Sequence, residues 1–280
     1  MSTQTETPVL VVDNLTKRFP IRAAVSQRVI GWNTVLDQIT FDLPRGETLG
    51  VVGESGSGKS TLLRVLLGVV ESTEGRIVLD GKPLAAKSAD RPKIDKRAVQ
   101  MVFQDPAAAL HPRMTVHRTL AETYRVHGTE AGKSVDAEIT ELLELVGLGK
   151  RMAERYPHQL SGGQRQRVVV ARALAVRPRI LLCDDPVAAL DVSLAAQVLN
   201  LFLDLQKQLG LSYVFVTNNL AVLRQIAQRI AVMRDGRFVE LSEKEEIYDN
   251  PRDPYTRELL DAAPSLARNL KEDPRARAAV

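Results

Sequence analysis

The sequence predicts an α/β fold with a mixed β-sheet core, and two observations support this prediction. Continuous apolar runs at 47–52, 180–184 and 212–217 have the length and composition of buried strands. The second and third of these runs are followed by helical patterns at 194–208 and 220–228. Strands that alternate with helices are typical of a parallel sheet.

Two subdomains are predicted outside the run of strands and helices, one before the first buried strand and one after it. Short strands at 9–14 and 34–43, separated by a basic insert at 20–33 that we expect to be irregular, indicate an antiparallel β-subdomain. From about 114 to 175 the pattern is helical, and the apolar residues at 138–148 are spaced by three and four. We therefore expect a helical subdomain at about 114–175.

The last part of the chain predicts a hairpin and a C-terminal extension. Asp235 and Gly236 form a dipeptide typical of a tight hairpin. Three prolines between 249 and 264 flank a short helical stretch, and the charged end at 268–280 is expected to be frayed. We expect one domain over 1–240 and an extension over 241–280.

Composition excludes some classes of function. The 280 residues are 44% hydrophobic and 26% charged, as in soluble globular proteins. Only 4% are aromatic and the net charge is +4, so no nucleic-acid partner is expected. Cys183 is the sole cysteine and lies in an apolar run, which predicts a buried strand position in a reducing compartment. We see no secretory signal pattern and no apolar run near the ~18 residues of a membrane span.

A glycine-rich run follows the strand at 47–52 and predicts a phosphate-binding loop. Its residues, with the threonine that follows, are Gly53, Glu54, Ser55, Gly56, Ser57, Gly58, Lys59, Ser60 and Thr61. Glycines at this spacing let backbone N–H groups wrap phosphates at a helix N-terminus. Lys59 would neutralise the β- and γ-phosphates of ATP, and Ser60 would bind Mg²⁺ through its hydroxyl. A chance glycine-rich loop is the alternative, but the preceding strand and the following helix argue against it.

Two further motifs are candidates for the same chemistry. Asp184 ends the apolar run at 180–184, where a carboxylate can reach a water on Mg²⁺, although an aspartate in this position can also cap a helix or form a turn. Leu160, Ser161, Gly162, Gly163 and Gln164 form a second small-residue turn before a helix. Ser161 can cap that helix, and the two glycines allow close approach of an anion.

The phosphate loop, the turn at 160–164 and the strand that ends at Asp184, in this order along the chain, resemble the ATP-binding cassette (ABC) family over roughly 9–240. The resemblance implies a head-to-tail dimer in which the Ser161–Gln164 turn of one subunit closes over the ATP held by the other. It also implies that Phe19 stacks on adenine, and that Gln104 senses Mg²⁺ and contacts a membrane subunit. Without the resemblance, Phe19 could be an ordinary core aromatic and Gln104 an ordinary turn residue.

The sequence departs from the family at two catalytic positions. Asp185 stands where the family usually has a glutamate that polarises the attacking water, and Asn218 stands where it has a histidine. The shorter side chain retracts the carboxylate by about 1.5 Å, and a displacement of about 1 Å can cost on the order of 10²-fold in rate. Either the enzyme tolerates these substitutions, or this site binds ATP and hydrolyses it slowly while the intact Ser161 turn serves the site of a different partner subunit.

The insert at 20–33 and the tail at 250–260 resemble the oligopeptide and dipeptide importers of the family, which include nickel importers. Asp253 stands where that branch usually has a histidine. The resemblance implies a second ATPase subunit in a heterodimer, two transmembrane permease subunits contacted near Gln104, and an extracytoplasmic solute-binding protein. It also implies a peripheral location on the cytoplasmic side of the cell membrane.

A different class of function remains open, namely a non-transport ABC ATPase that assists a soluble enzyme complex. The accessory subunits of carbon–phosphorus lyase are of this kind, and they generally lack the tail that contains Pro254, Tyr255 and Thr256. A DNA-repair or translation ATPase would call for basic arms, zinc-binding cysteines or tandem cassettes, none of which the sequence contains.

Overall fold

The computed structural model describes residues 7–23, 26, 28–84 and 97–262. The end at 268–280, which was expected to be frayed, lies outside these residues. Two sheets organise the fold. The first is a four-stranded antiparallel sheet in the order β2-β1-β4-β5, formed by β1 (Leu10–Arg22), β2 (Val29–Leu43), β4 (Glu74–Leu79) and β5 (Lys82–Leu84).

The second sheet has six strands in the order β10-β9-β3-β8-β7-β6 and confirms the predicted α/β class. Its strands are β3 (Thr48–Val52), β6 (Val99–Val102), β7 (Ile180–Asp184), β8 (Ser212–Thr217), β9 (Arg229–Arg234) and β10 (Arg237–Glu243). All neighbours pair in parallel except β9 and β10, which form the hairpin predicted at Asp235 and Gly236. The carboxyl ends of β3, β6, β7 and β8 therefore meet at one edge of the sheet.

Helices follow most of these strands. Within the described residues they are α1 (Lys59–Leu66), α2 (Pro106–Ala109), α3 (Val116–His127), α4 (Val135–Leu145), α5 (Gly162–Leu174), α6 (Val192–Leu209), α7 (Leu220–Ile226), α8 (Lys244–Asp249) and α9 (Pro254–Ala262). The region predicted to be helical contains α3, α4 and α5 together with two 3₁₀ turns. None of the helices in the described part of the chain is long and apolar enough to cross a membrane.

The six-stranded sheet is buried on both faces, which explains the continuous apolar runs of its strands. Along β7, Ile180 and Leu182 belong to one hydrophobic cluster, which also contains buried residues of α1 and of the antiparallel sheet. Leu181 and Cys183 alternate with them and face the other cluster, which the remaining helices cover. Cys183 is fully buried, as its apolar neighbours predicted.

The insert at 20–33 is not the irregular loop that was expected. Most of it continues β1 and β2 as one hairpin, with Pro20 opposite Trp32 and Ile21 opposite Gly31. The pairing of β1 with β4 ends at Thr16. Beyond that residue, β1 pairs only with β2. A proline is tolerated there because its missing N–H belongs to the unpaired edge.

The helix caps give a first test of the fold. Ser134 caps α4 and accepts a hydrogen bond from the backbone N–H of Ala137 at 3.2 Å. Replacing Ser134 with alanine should lower the free energy of unfolding by about 1 kcal/mol because the cap is lost. Urea denaturation measures this change. The control is Ser193→Ala, at an exposed position of α6, which should change it by less than about 0.5 kcal/mol; equal losses in both variants would contradict the cap.

Candidate active site

A cavity of about 310 Å³ opens at the edge where the parallel strands end. Loops that follow β3, β6, β7 and β8 all contribute to it, because parallel strands place their carboxyl ends together. The lining residues are Val35, Ser55, Gly56, Gly58, Lys59, Ser60, Thr61, Gln104, Asp184, Asp185, Val216, Thr217 and Asn218. Four loops that are far apart in sequence thus form one polar site.

The glycines of the loop after β3 are required by its geometry. A Cβ atom on Gly53 would lie 2.0 Å from the backbone oxygen of Met233 in β9. Gly58 has φ +110°, and a Cβ there would lie 2.6 Å from the backbone oxygen of Val35. Both contacts are with backbone atoms, which cannot move aside easily. The loop is therefore packed closely from behind and open towards the cavity, where Gly56 has free space.

Lys59 begins α1 and is buried at the base of this loop. Its Nζ donates to the backbone oxygens of Gly53 and Glu54, both at 2.7 Å, and to Oγ of Ser57 at 3.3 Å. Burial lowers the pKa of Lys59, and the nearby carboxylate of Asp185 acts in the opposite direction. A buried ammonium group held by carbonyl oxygens suits a site for a strongly anionic ligand.

Ser60 and Asp184 are directly connected on the cavity wall. The Ser60 hydroxyl donates to Oδ1 of Asp184 at 3.2 Å, and Gln104 lies on the same wall. Within the described ranges, no group of three or more His, Cys, Asp or Glu side chains could hold a metal ion. Mg²⁺ needs no such group, since it prefers oxygen ligands and keeps waters and phosphate oxygens in its shell. The pair of oxygens from Ser60 and Asp184 fits that ion.

Asp185 follows β7 in a left-handed backbone conformation, with φ +44°. Its Oδ1 accepts a hydrogen bond from the Thr217 hydroxyl at 2.8 Å, and the Asn218 backbone N–H also bonds to its carboxylate. Burial raises the pKa of Asp185, although these hydrogen bonds act against the rise. A raised pKa is compatible with a general base near neutral pH.

Thr217 ends β8 and Asn218 follows it, and the two residues differ in burial. Thr217 is buried and binds Asp185, a contact that its position in the sequence did not predict. Asn218 is exposed and lines the cavity. Asn219 instead caps α7, since its side chain accepts from the Ala221 backbone N–H at 2.9 Å. Thr217 and Asn218 thus line the cavity, and Asn219 does not.

The turn from Ser161 to Gln164 begins α5 and does not line this cavity. Ser161 and Gln164 form a reciprocal capping box, with backbone-to-side-chain distances of 3.2 and 3.0 Å. The two glycines pack against α6 and the residues before it, where added Cβ atoms would lie 3.2 Å from Leu190 and 3.3 Å from Leu194. The turn is thus preformed, and it takes no part in the cavity that contains Lys59.

Phe19 does not line the cavity either, but it lies on the strand beside one that does. It pairs with Asn33 in β2, and Val35 of the same strand lies in the cavity wall. Phe19 is 37% exposed, and Nζ of Lys17 lies 4.7 Å from its ring centre. A half-exposed ring at this rim is compatible with stacking on a planar base.

Comparison with known protein families decides the family of the chain. A model described as ABC transporter matches residues 36–188. The chain belongs to the ABC transporter family. A second model, described as the C-terminal region of oligopeptide/dipeptide transporters, matches residues 239–280 of this ABC chain. The resemblance found in the sequence, to the family and to its oligopeptide and dipeptide branch, is thereby confirmed.

Similar proteins agree with this assignment. The glutathione import ATP-binding protein GsiA of Escherichia coli K12 is 46% identical over 257 residues, which are 92% of this ABC chain and 41% of GsiA. The chain thus spans less than half the length of that relative. A solved dimer of the ATP-binding cassette MJ0796, bound to ADP and phosphate, is 29% identical with a TM-score of 0.69, over 84% of this chain and 98% of that one.

A third comparison bears on the fold alone. CbiO1 from Clostridium perfringens, part of the transporter complex cbiONQ, is 24% identical with a TM-score of 0.74. The match covers 95% of this ABC chain and all of cbiO1. Its extent shows that both sheets and the helices between them follow a cassette architecture.

Proposed function

We propose that this chain is an ATP-binding and ATP-hydrolysing subunit of an ABC importer for peptides or related solutes. The observation that carries the proposal is the cavity that joins Lys59, Ser60 and Asp184 with Asp185 and Asn218. Three loops of different sequence position supply these groups. Together they offer a phosphate cradle, oxygen ligands for Mg²⁺ and polar groups for an attacking water.

Each group has a distinct role in this proposal. The loop from Gly53 to Thr61 binds the ATP phosphates through backbone N–H groups, and Lys59 supplies positive charge. Ser60, Asp184 and Gln104 hold Mg²⁺, which would neutralise charge on the phosphates. Asp185 orients and polarises water for attack on the γ-phosphate. Asn218 donates a hydrogen bond to the γ-phosphate, in the place of a charged group.

We further propose that this site hydrolyses ATP slowly. In this proposal the chain forms a heterodimer with a second ATPase subunit, whose own site hydrolyses ATP faster. The Asp185 carboxylate is held back by Thr217 and is one methylene shorter than a glutamate. Asn218 cannot carry a positive charge. The preformed capping box at Ser161 and Gln164, which does not line this chain's own cavity, is suited to close the site of a second ATPase subunit.

The proposed transport role and partners rest on the similarity of this chain to oligopeptide/dipeptide transporters. GsiA is named for glutathione import, and the C-terminal match is to oligopeptide/dipeptide transporters. We propose that two transmembrane permease subunits dock near Gln104, which is exposed beside α2, and that an extracytoplasmic binding protein completes the complex. The chain would then lie on the cytoplasmic side of the membrane. The C-terminal match counts against a role in a soluble carbon–phosphorus lyase complex.

Titration with ATP at varied Mg²⁺ concentration tests the nucleotide site. In Asp184→Ala, the Mg²⁺ concentration required for half-maximal ATP binding should rise about tenfold, because outer-shell groups of this kind support metal affinity. Asp204→Ala removes an exposed carboxylate from α6 and should leave that concentration unchanged. Equal Mg²⁺ dependence in both variants would contradict the assignment of Asp184. A wild-type protein that binds no ATP at all would overturn the proposed function.

A further inference from the structure

The C-terminal segment touches the phosphate loop directly through one side chain. Tyr255 lies in the first turn of α9 and is 4% exposed. Its hydroxyl oxygen accepts a hydrogen bond from the backbone N–H of Glu54, at 3.2 Å and across 201 residues of sequence. None of the roles assigned above to ATP, Mg²⁺ or water uses this contact.

Tyr255 is held in place by its own surroundings. The guanidinium group of Arg234 lies 4.6 Å from the centre of its ring. Its backbone N–H donates to Oδ1 of Asp253 at 2.8 Å. The Glu240 carboxylate accepts from the backbone N–H groups of Arg252 and Asp253, at 3.0 and 3.1 Å. The segment before α9 is therefore hydrogen-bonded to β10 through Glu240. These bonds hold the Tyr255 hydroxyl in position beside Glu54.

The same side of the phosphate loop is supported by the β9–β10 hairpin. The backbone N–H of Gly236 donates to the oxygen of Ser57 at 3.0 Å. Gly53 lies so close to Met233 that no side chain fits between them. The loop thus has supports at its beginning and at its middle, all from the C-terminal part of the chain. A phosphate cradle depends on such support, because its N–H groups must keep their direction before the ligand arrives.

We propose that Tyr255 is a positioning residue for the phosphate loop, and that the C-terminal extension is coupled to nucleotide binding through it. The inference rests on the proposed function, in which this loop holds ATP. Tyr255 does not touch the ligand and acts through the backbone of Glu54. Because coupling is reciprocal, bound ATP should in turn stabilise the docked position of α9.

The test compares Tyr255→Phe with Tyr248→Phe. Tyr248 is a matched control because its hydroxyl also bonds to a backbone group, the oxygen of Leu220, and the guanidinium group of Arg224 lies 5.1 Å from its ring centre. Phenylalanine keeps each ring and removes one hydrogen bond. Tyr255→Phe should weaken ATP binding about three- to tenfold, the factor that one hydrogen bond supplies. Tyr248→Phe should change it less than about twofold, while both variants shift the urea midpoint to a similar degree.

Amide hydrogen exchange supplies a second readout that needs no nucleotide. The Glu54 amide should exchange faster in Tyr255→Phe and at the wild-type rate in Tyr248→Phe, since only the former loses its acceptor. In the wild type, ATP should slow exchange in α9. Unchanged exchange at Glu54, or equal ATP affinity in the two variants, overturns the inference. A wild type that binds no ATP defeats the proposed function, and with it the coupling, while the Glu54 exchange still decides the positioning role.

Discussion

The double variant Asp185→Glu, Asn218→His is expected to hydrolyse ATP at least about 10³-fold faster than the wild type. A glutamate at 185 extends the carboxylate past its present contact with Thr217 and towards a water at the γ-phosphate, and recovering about 1 Å of reach is worth on the order of 10²-fold. A histidine at 218 adds a donor that can be charged, and a transition-state donor is worth about 10²- to 10³-fold.

The measurement is steady-state phosphate release at saturating ATP and Mg²⁺. The two changes act on one transition state, so their effects need not multiply and the single variants should be measured as well. ATP affinity should change little, because the loop at 53–61 is untouched and a histidine at 218 can still donate a hydrogen bond to the γ-phosphate. Asp185→Asn provides the opposite control and should reduce whatever turnover the wild type has. If the double variant is no faster than the wild type, the substitutions are tolerated and the slow-site account is wrong.

Replacing Lys59 with alanine is expected to weaken ATP binding by about 30- to 5,000-fold. Lys59 is the buried cation of the cavity, and removing one partner of a buried, hydrogen-bonded charge pair costs about 2–5 kcal/mol. The variant also removes the hydrogen bonds from Nζ to Gly53, Glu54 and Ser57, whereas the close contacts of the loop with Met233 and Val35 do not involve this side chain. Calorimetric or fluorescence titration with ATP measures the loss.

Lys207→Ala is the matched control for Lys59→Ala. It removes the same charge from an exposed position in the last turn of α6. ATP affinity in this control should stay near the wild-type value, because the exposed Lys207 does not line the cavity and solvent and salt screen exposed charges. If Lys59→Ala binds ATP as well as Lys207→Ala does, the cavity is not the phosphate site.

The parts of the fold that could be predicted from sequence are those with a local pattern. The strand, glycine loop and helix around Lys59 are contiguous, so their order alone located them. β7 and β8 were found because strands buried on both faces are continuous apolar runs. β6 was not predicted, since Val99–Val102 is only four residues long and contains the polar Gln100. The hairpin beyond Phe19 was predicted as an irregular basic insert at 20–33, whereas most of it pairs as a continuation of β1 and β2.

The candidate site was predictable residue by residue but not as a set of contacts. The sequence identified Asp184 from the end of an apolar run, and Asp185 from the resemblance to the family. It could not show that Thr217 holds the Asp185 carboxylate, because that contact joins the ends of two neighbouring strands. The hydrogen bond between the Glu54 backbone N–H and the Tyr255 hydroxyl joins residues that are even farther apart, 201 positions in sequence. Such pairings arise from the order of strands in the sheet, which no local pattern contains.

We propose that this site holds ATP firmly and hydrolyses it slowly. The most direct test measures ATP binding and steady-state ATP turnover in the same sample of purified wild-type protein, at concentrations where two copies can associate. If the site is slow, ATP with Mg²⁺ should bind saturably and the turnover should be about 0.1 s⁻¹ or less. This value is two orders of magnitude below the typical enzyme turnover of about 10 s⁻¹. Saturable binding with a turnover of about 10 s⁻¹ or more would contradict this proposal.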